Sequence, residues 1–172
     1  MDFIIRTAAP QDAEVISHIN VEAWTENYKF MHSLVLALLD PIKMSIARKH
    51  AYEQRNPKHI NLVAEVDGKV VGFCEAGPLK IEYPESHMEI YTLYVDKAHQ
   101  KQGLGRELIT YLQGLLPKEE SRPVVVGAFT EHKRASNYYK KLGGEYIGTH
   151  PFFIKGHYYK KDYFLLPSLL KT

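Results

Sequence analysis

A chain of 172 residues with 45% hydrophobic content is long enough to bury one substantial core without staples. Its 22 basic and 20 acidic residues give a formal charge of +2 and are spread along the chain, which argues against nucleic acid or a membrane surface as the main partner. No apolar run reaches the ~18 residues of a membrane span, and the start Met1-Asp2-Phe3-Ile4 lacks a signal-like basic and apolar pattern, so a cytoplasmic address is expected.

In chain order, residues 3–6 read as a short strand, and Pro10 opens a helix that sets Val15, Ile16, Ile19 and Ala23 on one face. A second helical region spans 33–55 and is interrupted at Asp40-Pro41, where Asp40 can cap the restarted helix; it ends before Asn56-Pro57. Strands at 60–66 and 69–76 flank Asp67-Gly68, a pair suited to the tight turn of an antiparallel hairpin. The single cysteine, Cys74, lies in the second of these strands, where a packed thiol is expected and an internal disulfide is excluded. A strand at about 88–95 then enters a glycine-punctuated loop and a helix whose Leu104, Leu108, Ile109, Leu112, Leu115 and Leu116 share a face. After Pro117 come a strand at 124–128, a helix at 133–142 stopped by Gly143-Gly144, and strands near 145–149 and 157–166.

The segment from Leu93 to Leu108 carries most of the functional information. An apolar strand runs into Gln100-Lys101-Gln102-Gly103-Leu104-Gly105-Arg106 at the start of a helix, where free backbone N–H groups and the helix dipole favour an anion. Gly103 and Gly105 remove bulk where a phosphate must approach, and Lys101 and Arg106 add positive charge. A nucleotide P-loop is excluded because Arg106-Glu107 follows the last glycine in place of Lys-Ser/Thr. A dinucleotide fingerprint is excluded because Leu108 occupies the place of its third glycine.

What fits is Gln100-x-x-Gly103-x-Gly105, which resembles the pyrophosphate motif of the GNAT superfamily of acyl-CoA-dependent N-acyltransferases. The resemblance runs from end to end. Met88-Glu89-Ile90-Tyr91-Thr92-Leu93-Tyr94-Val95 looks like that family's fourth strand, and Ala135-Ser136-Asn137-Tyr138-Tyr139-Lys140-Lys141-Leu142-Gly143-Gly144 like its Ala-x-x-Phe-Tyr-x-x-Leu-Gly-Phe helix. His132 stands where members often carry an asparagine, and Gly144 replaces the usual aromatic residue. The resemblance implies a single domain over 1–172 of mixed α/β (α+β) class. Its central sheet would be mostly antiparallel, with about seven strands and about four flanking helices, and with a splay between the fourth and fifth strands.

It also implies transfer of acetyl from acetyl-CoA to a primary amine of a small metabolite, peptide or protein by direct attack on the thioester, with no metal. Glu89 is then the candidate general base and Tyr139 the candidate acid for the departing thiolate, while Tyr138 is expected in the core. A solvated strand-end carboxylate is the other reading of Glu89. The main chain of Leu93, Tyr94 and Val95 is expected to pair with the pantetheine arm, and Gln100, Lys101, Gln102, Gly103, Leu104, Gly105 and Arg106 to meet the pyrophosphate, with His132 beside them. Trp24 and Tyr28, four apart on one helix face, and Tyr91, on the strand face of Glu89, are candidates to line the acceptor side; packing is the alternative for the aromatic pair. His99 can steady the phosphate loop. The histidines show no metal-binding spacing. The long aromatic last strand makes a homodimer plausible. A catalytically silent acyl-CoA sensor is the alternative function.

Overall fold

The computed structural model describes residues 2–84, 86, 88–117 and 123–170. Seven strands form one sheet: β1 (Phe3–Thr7), β2 (Ile60–Val66), β3 (Lys69–Pro78), β4 (Met88–Val95), β5 (Val124–Phe129), β6 (Glu145–Ile154) and β7 (His157–Leu166). Their order is β1-β2-β3-β4-β5-β7-β6, and every neighbouring pair is antiparallel except β4 and β5. Five helices flank it: α1 (Ala13–Asn27), α2 (Ser33–Ala37), α3 (Pro41–Gln54), α4 (Leu104–Leu115) and α5 (Lys133–Lys141). α1 and α3 cover one face, setting Ile16, Ile19 and Tyr52 on Val63 and Phe73. The larger core lies on the other face, where Leu108, Ile109 and Leu112 of α4 and Tyr139 of α5 meet Leu62, Cys74, Val126 and Phe164.

Local chemistry sets the boundaries. Asp67 and Gly68 both take positive φ, +50° and +72°, which matches the twist a two-residue hairpin turn needs. Asp40 accepts hydrogen bonds from the N–H groups of Ile42 and Lys43, so it starts α3 afresh, and the helical region expected as one interrupted unit is two helices. At the end of α5, Gly143 adopts φ +85° and Gly144 N–H donates to Tyr139 O at 2.9 Å. At Gly144, where the resemblance leads one to look for an aromatic residue, a Cβ would stand 2.7 Å from Tyr139 O and 2.9 Å from Leu166. The chain closes so tightly behind Tyr139 that an aromatic residue has no room.

Four expectations need correction. α1 buries Ala13, Ile16, Ser17, Ile19 and Asn20, while Val15 is 36% exposed, because the face that meets α3 and β3 runs through residues 13, 16, 17, 19 and 20. Leu115, at the last turn of α4, is 51% exposed. β6 continues well past residue 149 through Pro151 to Ile154, which an edge strand tolerates because it has no outer neighbour to miss the absent N–H. β7 is interior, inserted between β5 and β6, so the aromatic last strand presents no free edge to a second copy. Cys74 is wholly buried, and burial raises its thiol pKa, consistent with a packed, unreactive group.

Candidate active site

The parallel pairing of β4 with β5 consists of Glu89↔Val125 and Ile90↔Val126 and then stops. On the other side of β4 the register jumps from Ala76↔Ile90 to Glu75↔Thr92, which leaves Tyr91 as an extra residue, a β-bulge that turns the strand away. Leu93, Tyr94 and Val95 therefore line a cleft where the sheet has opened. A cavity of about 880 Å³ fills this splay, walled on one side by β4 and on the other by β5 and α5.

At one end of the cavity the loop after β4 is held by its own side chains. Asp96 accepts from His99 N–H at 3.0 Å and contacts His99 Nδ1 at 2.6 Å, so His99 does steady the turn. Gln100 donates to Val95 O at 2.8 Å and accepts from Arg134, which commits its side chain to the loop and leaves the cavity to the main chain. Lys101 and Gly103 take φ +62° and +89°; left-handed residues alternating with Gln102 curl successive N–H groups toward one point, a nest suited to an anion. Gly103 is also the N-cap of α4. Leu104 is 1% exposed and packs with Val66 and Val71, so it can offer only its amide. Gln102 turns away, its side chain donating to Ala98 O at 3.1 Å, and it does not line the cavity.

Two tyrosines exchange the parts expected of them in packing. Tyr138 is not simply a core residue: its hydroxyl lies 2.8 Å from where a Cβ on Gly105 would stand, so the Tyr138 hydroxyl faces the loop and would have to shift for any larger residue there. Tyr139 is the more buried, at 7% exposure, yet it lines the cavity and its hydroxyl has no hydrogen-bond partner among the described residues. Burial, with Tyr28 and Tyr138 nearby, raises its pKa, so it stays protonated and can donate. His132, the N-cap of α5, stands at the cavity wall 5.4 Å from the Tyr28 ring, and burial holds its pKa below the usual value.

The opposite end is aromatic. Tyr28 closes α1 and its hydroxyl meets that of Tyr94 at 2.7 Å, tying the helix to the splayed strand. Trp24 packs edge-on against Tyr28 at 5.0 Å, and both meet Phe129 of β5. The expected aromatic pair thus comes together with one ring that sequence reasoning missed. Tyr91, displaced by the bulge, donates to Pro78 O and carries the Lys80 ammonium 3.7 Å above its ring. It reaches the cavity only at its margin with a second groove near His59.

Two carboxylates of the sheet, half-buried Glu75 and buried Glu89, stand in opposite circumstances. Burial alone would raise the pKa of Glu75, but Arg48, Tyr52 and Thr92 all donate to it and hold it low; it is a consumed structural group. Glu89, 4% exposed, accepts from Lys80 N–H at 2.9 Å and from no other group among the described residues, and burial outweighs that bond and the charges of Lys80 and Lys161, raising its pKa. It is no solvated strand-end carboxylate. It is not among the residues that line the cavity, whereas Lys161 of β7, whose charge acts on it, is. Lys161 was not anticipated, although a period-two reading of β7 marks it as a charged residue on the face shared by Tyr159 and Tyr163.

The sequence profile described as acetyltransferase (GNAT) family matches residues 23–144. The chain belongs to this family. Among GNAT relatives, it is 33% identical over 88 residues to a phosphinothricin N-acetyltransferase of Streptomyces viridochromogenes, covering 51% of this chain and 48% of that protein. The chain spans about half the length of the curated relatives it matches. Among solved GNAT folds, a ribosomal-protein-alanine N-acetyltransferase from Brucella melitensis superposes with a TM-score of 0.71 at 23% identity, covering 95% of this chain and 99% of that one. A putative acetyltransferase, yncA, from Salmonella typhimurium, solved with its cofactor acetyl-CoA, superposes at 0.66 and 22% identity, covering 100% and 97%. Among the described residues no helix is long and apolar enough to cross a membrane, and no group of three His, Cys, Asp or Glu side chains is placed to hold a metal ion.

Proposed function

We propose that this GNAT chain transfers an acetyl group from acetyl-CoA to a primary amine. The observation that carries the reading is the continuity of the opened edge of β4, after Ile90, with the left-handed nest of Lys101 and Gly103 at the start of α4. The main-chain groups of Leu93, Tyr94 and Val95 can pair with an amide-bearing pantetheine arm as with an added strand. The amides of residues 101–106, with Lys101, Arg106 and Arg134 close by, suit the diphosphate. The CoA nature of the donor draws on the nest and on the family; the likeness to yncA supports the fold.

The chemistry follows from the groups on the walls. An ammonium must lose a proton before its nitrogen can attack the thioester carbon, and Glu89, with its raised pKa, takes that proton through water because the carboxylate does not line the cavity. As the new C–N bond forms the nitrogen gives its second proton to water, and as the C–S bond breaks the Tyr139 hydroxyl gives its proton to the departing sulfur. The backbone donors beside the bulge are the candidates to receive the developing oxyanion. The acetylated amine and free CoA leave, and the proton held near Glu89 restores Tyr139 through solvent.

The test pairs binding with turnover. Acetyl-CoA at a hundred times its Kd stabilises a native-state binder by about 2.7 kcal/mol, so a clear rise in Tm is expected. Release of free thiol should then depend on an added amine. A rise in Tm with no thiol release across an amine library would favour the silent sensor, and no rise at all would overturn the CoA reading.

A further inference from the structure

The charges around the cavity are unevenly placed. Its walls include Lys101, Arg106, Arg134 and Lys141 on the α4 and α5 side, and Lys161 alone at the aromatic end. No Asp or Glu among the described residues lines it. The Lys161 ammonium sits 4.0 Å from the centre of the Phe152 ring and 4.9 Å from that of Phe129, and it takes part in no ion pair within 4.0 Å among the described residues. Phe129 is also the ring on which Trp24 and Tyr28 converge. A cavity-lining cation set over two rings, with no ion-pair partner within 4.0 Å among the described residues, is incompletely compensated and gains from an anion arriving on the cavity side.

We propose that Lys161 selects the acceptor, by binding an anionic group, a carboxylate in the simplest case, carried by the same molecule as the amine. This deepens the transferase reading and rests on it. The arrangement divides the acceptor between two supports: the aromatic rings of Trp24, Tyr28 and Phe129 take its apolar part, and Lys161 takes its charge. It also discriminates against polycationic amines, which would meet a fixed ammonium and no lining carboxylate. Burial lowers the Lys161 pKa, Glu89 on β4 raises it and Lys80 lowers it; the balance stands at about 8, so Lys161 is protonated at neutral pH.

Steady-state kinetics on matched acceptors tests this. α- and ω-amino acids, for example phenylalanine and 4-aminobutyrate, are each compared with the amine lacking the carboxylate, 2-phenylethylamine and propylamine, with spermidine as the polycation. At least one carboxylate-bearing acceptor should show a KM tenfold or more below that of its partner. Lys161→Met, which keeps the stem between the rings, should reduce that ratio to under twofold, and Lys161→Arg should restore it. Unchanged acetyl-CoA stabilisation in both variants guards against a folding defect. If the carboxylate-free amines or spermidine are acetylated equally well or better by the wild type, or if Lys161→Met keeps the ratio, this inference fails and acetyl transfer stands. Absence of turnover for every acceptor, with acetyl-CoA still bound, would remove the transferase reading and this inference with it.

Discussion

The two ends of the cavity are built on different plans. The end proposed for the phosphates comes from one continuous stretch, Leu93 to Arg106, and offers mainly main-chain groups, shaped by the bulge at Tyr91, the left-handed Lys101 and Gly103, and the start of α4. The acceptor end is assembled from α1, β5, β6 and β7, and works through side chains: Trp24, Tyr28, Phe129, Phe152 and Lys161. A backbone site tolerates most side-chain changes and fails when its dihedrals are forced, whereas a side-chain site changes its selectivity one residue at a time.

The sharpest way to break this contrast is at Gly103. Its φ of +89° is open to glycine and strained for a β-branched residue, although a Cβ there would meet nothing within 4 Å. Gly103→Val should therefore lower acetyl-CoA affinity by about 100-fold through backbone strain and loss of the nest, measured by calorimetry. An unchanged Kd would show that the nest is not the anion seat.

Where the two ends meet, Tyr139→Phe should reduce kcat by about 100-fold while leaving acetyl-CoA Kd within about twofold, since the change removes one proton donor from a cavity wall and preserves its shape. Parallel losses in both quantities would reassign Tyr139 to binding.

A pH experiment addresses the acceptor end. Glu89→Gln keeps an acceptor for Lys80 N–H but removes the charge, so the rise of kcat with pH that Glu89 imposes should disappear. The same change withdraws the one negative group that supports the Lys161 ammonium, leaving Lys80 and burial unopposed. The Lys161 pKa should therefore fall below its present value of about 8, readable by NMR of the lysine side chain. A Lys161 pKa that rises or stays put would contradict the proximity of the two groups.

The smallest effect belongs to the joint between the regions. Tyr28→Phe removes the hydroxyl contact with Tyr94 and should cost about 1 kcal/mol of stability, seen in denaturant unfolding, with a mild rise in acceptor KM. A change in acetyl-CoA Kd larger than the change in acceptor KM would show that the two ends are coupled more tightly than their separate construction suggests.

Much of the phosphate end was legible before any coordinates because its information is local. Gln100, Gly103 and Gly105 and the leucine period of α4 lie within one strand-loop-helix unit, and glycine and helix-start chemistry act over a few residues. The roles of side chains within that unit were less legible. Leu104 turned inward, Gln102 turned out, and Gln100 bonded back to Val95 and to Arg134, because packing against Val71 and α5 decides direction and spacing does not. Tyr138 and Tyr139 are adjacent in sequence, and only the close approach of Gly105 to one and of Phe164 to the other separates their duties.

The sequence by itself determined the order of strands and helices, the turn at Asp67-Gly68, the restart at Asp40 and the anion-seeking loop, since each follows from hydrophobic period, dihedral preference or capping within a short window. Tertiary structure alone decided that β7 lies inside β6, that Gly144 must lack a side chain, and that Lys161 lines the cavity within reach of the charge of Glu89. Those outcomes depend on surfaces brought together from distant parts of the chain, where burial and charge are set by neighbours that no local pattern names.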